Sequence, residues 1–379
     1  MKIVSHHSYL NEAIARQIVK RSMDIIHYSV NVMDHTGMII ASGDSSRIYQ
    51  RHEGAVLALT ENRTIEIDST MTNKLKGVKS GINLPISFRN KLVGVVGISG
   101  KPEDVRAYAE LVKMAAELIL EQRAMITERQ WEKRYREELA NQLILDDYDP
   151  YEINSMVAYL GLDLSVKRIV LILELAQSEF KQLRKLSEFF ESNEPEWLVT
   201  VTNFNELIVL KPAVIKNEHW DIQQERKQLQ QLIARLSVFH VERVILGGYF
   251  VGEQAIHHSY LSAKATQETA IKLKLKNKYV FYSEHVLPVL LGRYTDGWQS
   301  KELVKNWQKL VNKDRKGTLQ STLKQYFVQN CDLSQTAKQL HIHVNTLRYR
   351  LQRIEQITDL NINKLQDVLW LYIGMQMSV

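Results

Sequence analysis

Near the end of this 379-residue chain, Asn345, Tyr349 and Gln352 recur at spacings of four and three, with Thr346, Arg348 and Arg353 around them. At 100° per residue Asn345, Tyr349 and Gln352 line one side of a helix, flanked by Arg348 and Arg353. Leu347, Leu351 and Ile354 line the other side. Amides of Asn and Gln pair with adenine edges, a guanidinium pairs bidentately with guanine, and all of these groups can grip phosphate. Such a row reads double-stranded DNA; it has no nucleophile–base pair with which to do catalysis. Arg350 falls nearer the apolar edge.

The elements around this row must present it. Ser334 is a plausible N-cap for a short helix through Leu340, and Ala337 is small enough to admit a neighbouring helix. His341–Val344 then makes a turn, and a second helix starts at about Asn345. Two short helices, a tight turn and an exposed polar face meet the requirements of a helix-turn-helix; the competing reading is an αα-hairpin with a basic surface. Charge favours the first. From Lys301 to Val379 there are 12 Lys and Arg against 6 Asp and Glu, so the chain's whole excess of +6 lies in its last fifth.

The segment HIHVNTLRYRLQRI (His341–Ile354) resembles the C-terminal helix-turn-helix shared by purine-catabolism and carbohydrate-diacid regulators, with a pattern close to LxIHxNTLxYRLxRI. His343, Asn345, Thr346, Tyr349, Arg350, Leu351 and Arg353 meet it; Val344 stands where relatives often carry Arg.

At the other end, apolar spacing over residues 8–28 predicts an amphipathic helix. SVNVMD and MIIAS around His35–Gly37 form a hairpin, HEGAVLALTENR a short helix and TIEI a strand. GINLPISFRNKLVGVVGISG gives two more strands about Arg89–Asn90. This is an antiparallel sheet with helices on one face, as in PAS- and GAF-like sensor folds. GDSSRIYQRHEGA (Gly43–Ala55) and GVKSGINLPI (Gly77–Ile86), followed by LVGVVGISG, resemble a sugar-diacid-recognition domain. Together with the C-terminus, they make the whole chain similar to a carbohydrate diacid regulator. The resemblance implies a glucarate, galactarate or glycerate effector. A hydroxylated dianion needs cations and N–H donors. Arg47, His52 and Lys79 are the candidate cations. Gly81 and Gly97 would let backbone approach, Asn83 both donates and accepts, and Glu53 and Ile82 complete the motifs.

Glu103–Leu145 contains no Pro or Gly and reads as one long helix or two helices meeting near Thr127. After Asp149–Pro150, strands KRIVLILEL, LVTVTNFNELIVLK and RVILGGYF alternate with helices at Phe180–Ser192, Ile222–Phe239 and Ser259–Leu275. This resembles a GGDEF-like module, but its hairpin, NFNELIVLK, has lost the glycines and keeps only Glu206 of the acidic pair. Cyclase chemistry is therefore not expected. GxxxxGK[ST], GxSxG and HExxH are all absent, and His257–His258 has no metal-ligand spacing.

The expected class is α+β and multidomain: a PAS/GAF-like antiparallel-sheet sensor (1–125), a helical connector (126–148), a degenerate GGDEF-like α/β domain (149–285) and an all-α helix-turn-helix domain (286–379). No catalytic residue, metal or cofactor is expected. One cysteine, Cys331, allows neither an internal disulfide nor a zinc cluster, the N-terminus lacks a signal peptide's apolar core, and no apolar run reaches the ~18 residues of a membrane span. These observations point to a cytoplasmic protein without a membrane association, and the resemblance implies an activator of diacid-use genes. The long helix and the apolar WLYIGM segment point to a homodimer on a DNA operator. The alternatives are a purine-type regulator with another effector and a cyclic-dinucleotide signalling protein.

Overall fold

A computed structural model describes residues 9–68, 70–72, 78–176, 180–292 and 297–378. The first residue of the motif Gly77–Ile86 and the start of the predicted 8–28 helix lie outside them. The chain divides into two compact units between Lys133 and Arg134.

In the first unit, α1 (Glu12–Met23) starts where the Asn11 side chain accepts from the Ile14 amide at 3.0 Å. Next come β1 (Val30–Asp34), β2 (Ile39–Ser42), α2 (Glu53–Glu61), β3 (Ile65–Ile67), β4 (Gly81–Phe88), β5 (Lys91–Ser99) and α3 (Pro102–Leu145). The sheet runs β2-β1-β5-β4-β3, antiparallel throughout. Between β4 and β5, Arg89 and Asn90 both have positive φ, which is the two-residue turn whose twist matches a hairpin. Between β1 and β2 the Asp34 carboxylate accepts from the Thr36 and Met38 amides, and Gly37 supplies φ +82°.

Alternation along the strands then divides the side chains. Ile82, Leu84, Ile86, Val96 and Ile98 pack under α1 and the first turns of α3, whereas Met33, Val95, Ile65 and Ile67 pack under α2. Both faces of the sheet are therefore covered, with α1 and α3 on one side and α2 on the other. Helix α3 is a single helix, without a junction at Thr127.

The second unit continues with α4 (Pro150–Leu160), β6 (Arg168–Leu175), α5 (Phe180–Asn193), β7 (Leu198–Asn203) and β8 (Glu206–Pro212). After these come β9 (Ile215–Lys216), β10 (His219–Trp220), α6 (Ile222–Arg235), β11 (Val241–Leu246), α7 (Ala255–Lys272) and β12 (Tyr279–Phe281). The main sheet is ordered β12-β11-β6-β8-β7, with only β11–β12 parallel. Helices α5 and α6 cover one face; α4, α7 and the last turns of α3 cover the other. The strand expected to run through Phe250 stops at Leu246. A Cβ on Gly247 would lie 2.3 Å from the Ser259 carbonyl, so α7 already occupies the space a continuing strand would need.

A helical region follows: α8 (Val286–Leu291), α9 (Trp298–Lys313), α10 (Thr318–Val328), α11 (Leu333–Gln339), α12 (Val344–Thr358) and α13 (Leu365–Met377). The cap of α11 is Asp332, not Ser334: its carboxylate accepts from the Gln335 amide at 2.7 Å, and Thr336 Oγ1 closes on the Asp332 carbonyl.

One buried ion pair stands out in this unit. Lys211 and Glu225, 1 % and 0 % exposed, bond each other; Glu225 also accepts from the Val214 amide and Trp220 Nε1. Removing one partner leaves the other charge buried and uncompensated. Lys211→Met should therefore destabilise this unit by about 3–5 kcal/mol in urea unfolding. A loss below about 1 kcal/mol would mean that hydrophobic packing alone holds α6 on β8.

Candidate functional site

One rung of the first unit's sheet is polar where its neighbours are apolar. Ser42 pairs with Asn31, Asn31 with Gly97, Gly97 with Asn83, and Asn83 with Ile65. All of these side chains face α2. Asn31 and Asn83 are 2 % and 3 % exposed. The Asn31 Oδ1 accepts from Ser42 Oγ at 2.6 Å, but the Asn83 amide has no side-chain hydrogen bond among the described residues.

Two glycines make room for Asn83. A Cβ on Gly97 would come within 2.9 Å of its Oδ1, and a Cβ on Gly54 within 2.9 Å of its Nδ2 and 3.1 Å of the His52 ring. Gly54 lies in the first turn of α2, so this helix sets its N-terminus directly over the rung. The first turn of α2 thus packs against the Asn83 amide, and the helix's positive dipole end lies in this turn.

His52 is the N-cap. Its Nδ1 accepts from the Ala55 amide at 3.1 Å, which places the proton on Nε2. It is 4 % exposed, and burial, reinforced by the Arg47 charge, lowers its pKa to about 4. The imidazole is thus a neutral N–H donor rather than a cation. Arg47 closes a single 3-10 turn (Ser45–Arg47) capped by Asp44 and is 6 % exposed. Burial lowers its pKa, partly offset by Asp44.

The remaining candidates separate by position. Lys79 is exposed and pairs with Asp44 at 3.5 Å, at the rim beside Arg47's turn. Glu53 is half-buried in the first turn of α2. Gly81 is crowded by the Ile98 carbonyl, 2.1 Å from where its Cβ would be, so its role is strand packing. Ile82 does not face the rung. Alternation on β4 turns it to the opposite face, into the core beneath α1 and α3. Asn31, Ser42 and Gly54 belong to the cluster although the sequence reading passed over them. Their signal was a polar residue two places before Met33, on the face later covered by α2.

At the other end of the chain α11 and α12 meet through Ala337, Leu347, Leu351 and Ile354, with α10 behind them. The turn between them uses His341 at φ +54°, and α12 starts at Val344, one residue before the expected start, with His343 as its cap accepting from the Asn345 amide. Asn345, Thr346, Arg348, Tyr349, Gln352 and Arg353 are all exposed on α12, Tyr349 to 68 %. Arg353 reaches Gln356 at 2.9 Å along the same helix. Arg350 is instead tied to Thr322 Oγ1 of α10 at 3.1 Å, so it braces the three-helix packing.

A polar site enclosed beneath a helix N-terminus in one unit and an exposed reading helix in the other define a ligand-sensing, DNA-binding transcription regulator. Residues 10–143 match the sugar diacid recognition family model, 145–269 the GGDEF-like domain and 319–377 the PucR C-terminal helix-turn-helix domain. The chain is 38 % identical over 378 residues to the carbohydrate diacid regulator of Escherichia coli, covering 98 % of each. It is 40 % identical to an uncharacterized protein of Haemophilus influenzae (96 % of this chain, 98 % of that one) and 26 % identical to one of Bacillus subtilis (97 % and 98 %). The chain belongs to the carbohydrate diacid regulator family.

The hairpin of the middle domain bears on the enzyme alternative. Glu206 accepts from Lys264 at 2.7 and 2.8 Å, from Gln267 at 2.9 Å and from Thr202 at 2.8 Å. Burial raises its pKa, but these bonds outweigh it and hold the carboxyl below its usual range. Its oxygens are already occupied by protein donors. No helix among the described residues is long and apolar enough to cross a membrane.

The neutral His52 carries a pH signature. Between about pH 4 and 6.5 the unfolded chain binds a proton at this residue that the folded site does not, so stability falls as pH drops through that window. The full effect is about 3 kcal/mol. Melting curves from pH 7.5 to 4.5 should decline less steeply for His52→Asn, which keeps a capping oxygen, than for the wild type. Parallel curves would show that His52 titrates normally in the folded chain.

Proposed function

We propose that the rung beneath α2 binds a small hydroxylated dicarboxylate of the glucarate, galactarate or glycerate kind, and that its occupancy governs DNA binding by α12. The observation that carries this is the buried Asn83 amide, with no side-chain hydrogen bond among the described residues, against the first turn of α2 near Arg47 and His52. A carboxylate suits the α2 N-terminus and the Arg47 guanidinium; hydroxyls suit the two asparagine amides and the imidazole N–H. The printed name of the Escherichia coli relative supports the same ligand class.

In this reading the protein is a cytoplasmic activator of diacid-use genes and acts as a homodimer. Two copies of α12 contact successive major-groove faces of a two-fold operator through Asn345, Thr346, Arg348, Tyr349, Gln352 and Arg353. The middle domain transmits rather than catalyses, supported by the occupied Glu206 carboxylate. The sensor (1–125), connector (126–148), middle (149–285) and DNA-binding (286–379) segments divide the work.

Thermal-shift titration tests the sensor. Glucarate, galactarate or glycerate at 100 times its Kd should stabilise the chain by about 2.7 kcal/mol. The isosteric Asn83→Asp puts a negative charge into the site and Arg47→Ala removes a positive one; both should lose the shift while still binding DNA. Stabilisation by cyclic dinucleotides or purine-breakdown products alone would replace the diacid reading. On DNA selected from a random pool, Arg348→Ala should lower the slope of log K against log salt by about 0.9 for the one lost phosphate contact. An unchanged slope and affinity would mean that another face of α12 meets the duplex.

A further inference from the structure

Helix α3 carries two apolar stripes in its first unit. Val105, Ala109, Val112, Ala116 and Ile119 follow a 4-3-4-3 spacing and are buried beneath the sheet. A second stripe, Tyr108, Leu111, Ala115, Leu118, Gln122 and Met125, follows 3-4-3-4-3 and is largely exposed, although Tyr108 meets the Tyr28 ring at 5.8 Å. Tyr108, Leu111, Leu118 and Met125 are 41, 57, 56 and 54 % exposed. Beside it a groove of about 510 Å³ runs along α1, walled by Ile26 and by Ile25, which is 80 % exposed. A row of large apolar side chains of this length is not left to water in a stable monomer.

The spacing says what covers it. A 3.5-residue apolar period sustained over nearly three heptads is the seam of a left-handed helix pair, and it fits only a facing helix of the same period. Tyr108, Ala115 and Gln122 take the a positions, and Leu111, Leu118 and Met125 the d positions. Gln122 narrows the choice further. An amide at an a position is poorly satisfied against an apolar partner but is satisfied by the same amide across a parallel, in-register pair, which is how a polar a residue sets register. The same α3 from another copy meets both conditions, through a self-complementary two-fold contact.

We infer that two copies of this chain join through a parallel, in-register pairing of α3 along Tyr108–Met125, with Ile25 and Ile26 closing over the seam's edge. The inference rests on the homodimeric part of the proposed function and assigns where the copies meet. It also gives the sensor a route to its output. The same helix forms the sensor's core with one stripe and the dimer seam with the other, so a shift in its packing beneath the sheet changes the seam directly.

The test uses the full chain. In a Cys331→Ser background, Leu118→Cys sits on the seam and Glu110→Cys on the opposite side of α3. Under mild oxidation Leu118→Cys should become a disulfide-linked dimer and Glu110→Cys should remain monomeric on denaturing gels. Leu111→Glu with Leu118→Glu should weaken self-association in sedimentation at least tenfold. Both residues are already exposed, so melting of the sensor should be unchanged. Equal cross-linking at 110 and 118, with a double variant that still sediments as the wild-type dimer, overturns the α3 seam while leaving a homodimer. A wild-type chain that sediments as a monomer at every concentration, with and without DNA, overturns both.

Discussion

Strand β4 is buried on both faces, and most of the sensor follows from that constraint. Its odd-even alternation sends Ile82, Leu84, Ile86 and Phe88 under α1 and α3 and sends Asn83 the other way, under α2. A polar side chain in such a place costs free energy unless it is paired, and the fold leaves Asn83 without a side-chain partner among the described residues. The glycines that flank it are part of the same constraint. With any side chain at residue 97 or 54, either the Asn83 amide or the first turn of α2 would have to move. The site is therefore built into the sheet itself, with the helix laid over it.

The electrostatics of the cluster are one-sided. Arg47 supplies the positive charge, the α2 N-terminus adds its dipole, and His52 is kept neutral by burial and by that same Arg47. A protonated His52 would bring a second cation into a buried space and would lose its capping bond to Ala55, because Nδ1 could then only donate. Keeping the imidazole neutral preserves the helix start that aims the amides. Asp44 moderates Arg47 from the rim, where Lys79 also reaches it.

How far these features were legible depended on how local their causes were. The reading helix could be placed from sequence because its buried stripe, Leu347, Leu351 and Ile354, and its exposed row are separated by helical geometry alone. Caps were harder. Asp332 and Ser334 are both good capping types, and the structure chooses Asp332 because the helix begins two residues earlier, closed by Thr336 on the Asp332 carbonyl. The hairpin at Arg89–Asn90 was visible, whereas Asn31 was not. In VNVMD it occupies a position that alternation assigns to solvent, and only the α2 helix, some 20 residues further on, buries it. Ile82 failed in the opposite way, since a motif included it where the period of the strand would have excluded it. Residues that depend on which element covers a surface remain hidden until the layers are known.

In the middle domain the hairpin acid is tied into the packing of α7. That acid, Glu206, is held by Lys264 and Gln267 of α7, while Gln267 also reaches Glu174 on β6. These bonds tie α7 across the sheet, where a nucleotide-processing hairpin would need open acceptors. The other end of α7 holds the last turn of α3: His257 Nδ1 donates to the Ile144 carbonyl at 2.7 Å, and Gln254 donates to Asp146. Helix α7 packs in turn on α8, and α8 on α13 of the DNA-binding region. The Glu206 carboxylate thus anchors the helix that links the end of α3 to the helical region carrying α12.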